Sequence, residues 1–140
     1  MMLRAVRSPA CSTASASNVS DFDRSKAFYR AALAPLGYEI RKERPTAAGF
    51  GVASGHGRSA DPAGDFWISK GPPQVPRLHF AFNARSRADV DAFFHAALAA
   101  GGRSNGEPGL RPRYHADYYG AFILDPDRYN IEAVCHAVAG

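Results

Sequence analysis

Cysteine is almost missing from this chain. Two residues of 140, Cys11 and Cys135, stand alone, at no spacing that suits a thiolate metal site or a disulfide framework. Such sparse use fits a reducing compartment. Long apolar runs are also missing: none approaches the roughly 20 residues that span a bilayer, so no membrane partner is expected. There is no apolar signal-peptide core, and the expected location is cytoplasmic. The chain has no Gly-rich phosphate loop and no G-x-S-x-G turn, which removes the common nucleotide-hydrolase and serine-hydrolase motifs. Clustered charge is absent too. The net charge is +4, from ten Lys/Arg against six Asp/Glu in residues 1–70 and seven of each in 71–140. That excess is too scattered for a nucleic-acid face, though it would suit an anionic small molecule or no ligand at all.

What remains is the composition of one globular domain, 46% hydrophobic and 21% charged. The first 19 residues are rich in Ser and Ala, carry Arg4 and Arg7 and lack acids, like an organellar transit peptide; a ragged start is the preferred alternative. Residues 1–12 are expected to be disordered or loosely packed, and 13–140 to form the domain.

The chain also repeats itself. "AFYRAALA" at 27–34 and "AFFHAALA" at 92–99 agree at six of eight positions, and Asn18 and Asn83 match at the same offset of 65. Ser20/Asp23 and Ser86/Asp89 resemble capping boxes ahead of two helices. Tyr29, Ala32, Leu33 and Leu36 form one apolar stripe, and Val90, Phe93, Phe94, Ala97 and Leu98 form its counterpart. Pro35 and Gly37 close the first helix; Gly101 and Gly102 close the second. Strands are expected at 13–19, 37–43, 48–53 and 65–70, then at 77–83, 103–105, 112–115, 118–124 and 129–135, with Gly/Pro-rich connections between. The pattern predicts an α+β domain of two βαβββ modules, about 13–71 and 77–136, forming a curved mixed sheet around a central cleft.

Strand alternation sorts the polar residues. In "RLHFAFN", Leu78, Phe80 and Phe82 must meet the helices, so His79, Ala81 and Asn83 face away. In "YNIEAVCH", Tyr129, Ile131, Ala133 and Cys135 take the packed side and Glu132 the other. A buried carboxylate needs a partner. His79 and Glu132 would be either a hydrogen-bonded pair or half of a divalent-metal site. "GLRPRYHADYYGAF" adds Arg111, Arg113, Tyr114, His115, Tyr118 and Tyr119, with forked cations and amphipathic rings suited to a small ligand. The alternative for that segment is a solvated hairpin with ordinary core tyrosines. His56 is expected on a loop, His95 in solvent, and Cys135 buried and inert.

Residues 18–38, "NVSDFDRSKAFYRAALAPLGY", and 79–136, through "DPDRYNIEAVCH", resemble the vicinal oxygen chelate superfamily. That group includes glyoxalase I, bleomycin-resistance proteins, fosfomycin-resistance enzymes and ring-cleaving dioxygenases. The resemblance implies four metal ligands, two per module. His79 matches the first-strand position and Glu132 the last, where Glu132 would also be the catalytic residue. The 65-residue offset maps His79 onto Ala14 and Glu132 onto Trp67, leaving Asp65 as the nearby oxygen ligand. A divalent metal (Zn, Ni, Mn or Fe) is therefore one expectation and no metal another. Arg111, Arg113, His115, Tyr118, Tyr119, Trp67 and Asn83 are the expected small-molecule contacts. Where the family turn reads DPDG, this chain has Arg128, with strain, a reshaped turn or anion binding as its consequence. The implied function is a metal-assisted lyase, isomerase or dioxygenase acting on a small oxygenated molecule; the alternative is a metal-free protein that sequesters one. A homodimer is expected, because open sheet edges tend to be paired.

Overall fold

The computed structural model describes residues 2–4, 15–52 and 62–137. Its elements are β1 (Met2–Arg4), β2 (Ser15–Val19), α1 (Phe22–Leu33), a 3₁₀ turn (Ala34–Leu36), β3 (Tyr38–Arg44), β4 (Ala47–Val52), β5 (Phe66–Lys70), β6 (His79–Asn83), α2 (Arg87–Ala99), β7 (Arg103–Leu110), β8 (Tyr119–Leu124) and β9 (Asn130–Cys135). They form one four-stranded sheet, β2-β5-β4-β3, and one five-stranded sheet, β1-β6-β9-β8-β7. With β1 set aside, the two orders are the same: each module pairs its first strand in parallel with its last, and the rest antiparallel. The fold is α+β, built of two βαβββ modules.

The repeat extends to the register. Phe80 pairs with Ile131 and Ala81 with Glu132; subtracting 65 from each gives Ser15 with Phe66 and Ala16 with Trp67, which are the pairs of module one. Both helices lay their stripes on one shared core. Tyr29, Leu33 and Leu36 join Val90, Phe93 and Ala97 in a single buried cluster with Phe66, Ile68, Phe80, Phe82, Ile123 and Ile131. Phe66 links the modules, with its ring centroid 5.2 Å from Phe80 and 5.3 Å from Phe82. Leu98 departs from its expected stripe and is exposed.

Three other expectations change. The cap of α1 is Asp21, whose carboxylate accepts from Arg24 N, while Ser20 is turned to Asp127. Ser86 caps α2 as expected, accepting from Asp89 N at 3.1 Å. Residues 112–114 are a turn and His115 lies outside any strand, and β7 runs from 103 to 110 despite Gly106, Pro108 and Gly109. As an edge strand it tolerates proline, and it absorbs the irregular stretch in two register shifts against β8. Of the segment 1–12, only residues 2–4 are described, and they pair in parallel with β6. Thr13 and Ala14, at the start of the expected first strand, and His56 lie outside the described residues.

Candidate functional site

Glu132 lies on β9 between Ala81 of β6 and Phe122 of β8. Alternation sends its neighbours Ile131 and Ala133 into the core and its own side chain to the other face. The residue is fully buried, yet both carboxylate oxygens are satisfied. His79 Nε2 stands 3.0 Å from Oε1, and the Tyr118 hydroxyl donates to Oε2. Gly120 lies close beside the pair: a Cβ there would stand 3.3 Å from the Tyr118 ring and 3.5 Å from Oε2. Bonding both oxygens is what a carboxylate taken out of water requires.

Tyr118 is set by the β7–β8 connection. Arg111 N donates to Tyr118 O at 2.7 Å, closing the loop, and Tyr118 N donates to His115 O at 3.2 Å. Around its ring stand Tyr114, His115 and His136, at centroid distances of 4.7, 5.4 and 5.4 Å. The two histidines are joined, His115 Nε2 to His136 Nδ1 at 2.8 Å. Asp117 N donates to His115 Nδ1, so the proton of a neutral His115 is on Nε2 and His136 Nδ1 accepts it. His79 lies half-buried against Phe122, 5.9 Å between ring centroids. The expected residues His79, Glu132, Tyr118 and His115 thus belong to one neighbourhood. Phe122 and His136 were not among the candidates. Alternation in "YGAFIL" was the signal for the face of Phe122, opposite to the buried Ala121 and Ile123, and alternation in "YNIEAVCH" was the signal for His136.

Module one carries a different pair at the equivalent place. Trp67 lies opposite Gly49, as Glu132 lies opposite Phe122. The indole covers Gly49, where a Cβ would collide at 2.5 Å, and the Arg44 guanidinium sits 5.8 Å from the ring centroid. Asp65 precedes β5 and is half-buried, with its amide donating to Phe50 O. Two ligands at about 2.1 Å and right angles on an octahedral ion lie about 3 Å apart. The His79–Glu132 separation of 3.0 Å fits two such positions. No group of three His, Cys, Asp or Glu side chains suited to a metal occurs among the described residues, so Asp65 does not join the pair.

The remaining candidates sit elsewhere. Tyr119 faces the helix layer, donating to Asp91 Oδ1 at 2.7 Å beneath the Arg87 guanidinium. Tyr118 and Tyr119 are adjacent, so only one can face Glu132. Asn83 is exposed at the end of β6, and Arg113 is exposed over the Tyr114 ring. A second polar cluster joins the modules through the 125–129 turn. Ser20 holds the Asp127 carboxylate, Tyr29 donates to Asp125 Oδ2, and Tyr129 donates to Asn18 O at 2.6 Å. Burial pushes the Asp125 carboxyl up to about 6, against the downward pull of its bonds from Tyr29, Tyr129 N and Asp127 N. Arg128 takes the left-handed conformation, φ 71°, where the family turn has glycine.

Two modules of identical strand order, with a buried Glu paired to a half-buried His on the sheet face away from the helices, define a duplicated βαβββ protein with a polar site on its sheet. The chain matches the Glyoxalase/Bleomycin resistance protein/Dioxygenase superfamily over residues 14–133, and it belongs to that family. A glyoxalase/bleomycin resistance protein from Albidiferax ferrireducens T118 is 28% identical and superposes with a TM-score of 0.71, over 89% of this chain and 98% of that one. The lactoylglutathione lyase of Agrobacterium tumefaciens shares the fold at 20% identity, with a TM-score of 0.62 over 92% of this chain and 96% of that one. A glyoxalase-related enzyme from Fulvimarina pelagi does so at 17% identity and 0.64, over 88% and 86%. No curated protein matches the chain.

Proposed function

We propose that this chain binds a small oxygenated molecule on the sheet face around Glu132 and does so without a tightly held metal. The observation that carries this reading is the occupation of both Glu132 oxygens, by His79 and by Tyr118. A carboxylate so placed is a finished buried polar group, and it can take a proton from a ligand only by giving up one of its two donors. Trp67 in place of a second ligating carboxylate supports the same reading, because an indole offers a ligand a stacking face and no metal bond.

A second reading has its own support. The 3.0 Å His79–Glu132 separation suits adjacent positions on a divalent ion, and a metal-assisted lyase or isomerase would use them so. Such an ion would supply Lewis-acid polarisation of a ligand oxygen. His79 and Glu132 are the residues of this chain that would hold it. We further infer a cytoplasmic homodimer. The edges of β3 and β7 are guarded, the first by Glu39, Arg41, Lys42, Glu43 and Arg44 and the second by Pro108, so among the described residues β1 and β2 are the edges that suit a second copy.

The test is amide chemical-shift mapping with small carboxylic acids, diols and α-hydroxycarbonyl compounds in the presence of EDTA. Saturable shifts at His79, Gly120, Phe122 and Glu132 are expected for at least one class. Shifts that arise only when Ni²⁺, Zn²⁺ or Mn²⁺ replaces EDTA would favour the metal-assisted reading instead.

A further inference from the structure

Arg111 stands at the edge of the Glu132 neighbourhood in a cradle that glycine makes possible. Its guanidinium carbon lies 5.4 Å from the Phe122 ring centroid, and Phe122 is also the ring against which His79 packs. One nitrogen, Nη2, donates to Glu107 O at 2.7 Å. The head group lies over the places where β7 has no side chains. A Cβ on Gly106 would come within 3.2 Å of Nη2 and 3.0 Å of the Phe122 ring, and one on Gly109 within 3.3 Å of Nη1. Among the described residues no carboxylate forms an ion pair with Arg111. A half-buried guanidinium with one donor tied to the backbone keeps the rest of its fork for an oxyanion.

We infer that the ligand of this face carries a carboxylate, held by Arg111 one ring away from His79 and Glu132. The inference rests on the binding reading above and adds the chemical class. The hydrogen bonding agrees with it. Both Glu132 oxygens already have donors, in His79 and Tyr118, and among the described residues no ion pair joins Glu132 to Arg111. A neutral isostere would forfeit a charge-assisted, forked contact, whereas its remaining contacts to Phe122 and His79 would be unchanged.

The experiment compares matched pairs, benzoate with benzamide and 4-hydroxybenzoate with 4-hydroxybenzamide, by chemical-shift titration of the full chain in EDTA. The acids are expected to bind about tenfold or more tightly than the amides, the scale of a lost charged hydrogen bond. Arg111→Gln should erase the preference, weakening the acids and leaving the amides as they were, with an unchanged circular-dichroism spectrum. Gly109→Ala is the second variant. It crowds Nη1 and shifts the guanidinium by a few tenths of an ångström while the charge stays, and it should lower affinity for the acids alone. Amides bound as tightly as acids, or an acid preference that survives Arg111→Gln, would overturn the inference and leave the binding reading standing. If neither acids nor amides move any resonance of the face, the binding reading falls and the inference with it.

Discussion

At the scale of single residues, three side chains carry energies that can be measured. Arg128 sits at φ 71°, a conformation that suits glycine and strains a residue with a Cβ. Arg128→Gly should stabilise the protein by roughly 0.5–1 kcal/mol, the relief of strain being partly offset by a more flexible unfolded chain. Equilibrium urea unfolding measures it, and a loss of stability would show that the arginine makes a contact worth more than the strain. Asp125 makes stability depend on pH. Its folded carboxyl titrates at about 6 against an ordinary value of 3.8, so between these values the native state holds a proton that the unfolded state has released. The contribution of Asp125 to stability should therefore be highest below pH 3.8, fall as pH rises toward 6 and level off above, by an amount on the order of 2–3 kcal/mol. Asp125→Asn should remove that slope, which then appears in the difference curve between variant and parent. Tyr118→Phe leaves one oxygen of a buried carboxylate without its donor and should cost about 1–3 kcal/mol in the same urea experiment.

At the scale of elements, most of the architecture could be read from residue pattern, and the failures have local causes. Period-3.6 stripes placed both helices and period-2 alternation put His79 and Glu132 on one face, because each rule depends only on which side is buried. The α1 cap was misplaced since Ser20 and Asp21 are both good cap residues, and long-range bonding to Asp127 decides between them. Strand β7 was illegible because its pairing comes from β8 and its bulges, not from its own "RSNGEPGL". The site was half visible for a related reason. A side chain's face follows from its strand, but the placing of Phe122 beside Glu132 follows from register, and the meeting of His136 with His115 from the β7–β8 connection. Ser20 and Asp21 also separate in experiment. Asp21→Ala should cost about 1 kcal/mol as a lost cap. Ser20→Ala should act instead on the turn at 125–129, with loss of hydrogen-exchange protection at the amides of Asp127 and Tyr129.

At the scale of the whole molecule, the modules share one core and should therefore unfold as one cooperative unit. Phe66 of module one packs between Phe80 and Phe82 of module two, and Tyr129 of module two reaches Asn18 of module one. Phe66→Ala should cost about 3–5 kcal/mol, and module-one and module-two probes should still unfold together. Light scattering near twice 15.0 kDa is expected for the proposed homodimer. The central claim concerns Glu132: that its carboxylate is completed by His79 and Tyr118 and serves a small-molecule site without a tightly bound ion. Calorimetric titration of the EDTA-treated, desalted protein with Ni²⁺, Zn²⁺ and Mn²⁺ tests it most directly. The account predicts no saturable binding at micromolar ion, and the same faint heats from Glu132→Gln. One-to-one micromolar or tighter binding, abolished by both His79→Ala and Glu132→Gln, would contradict it.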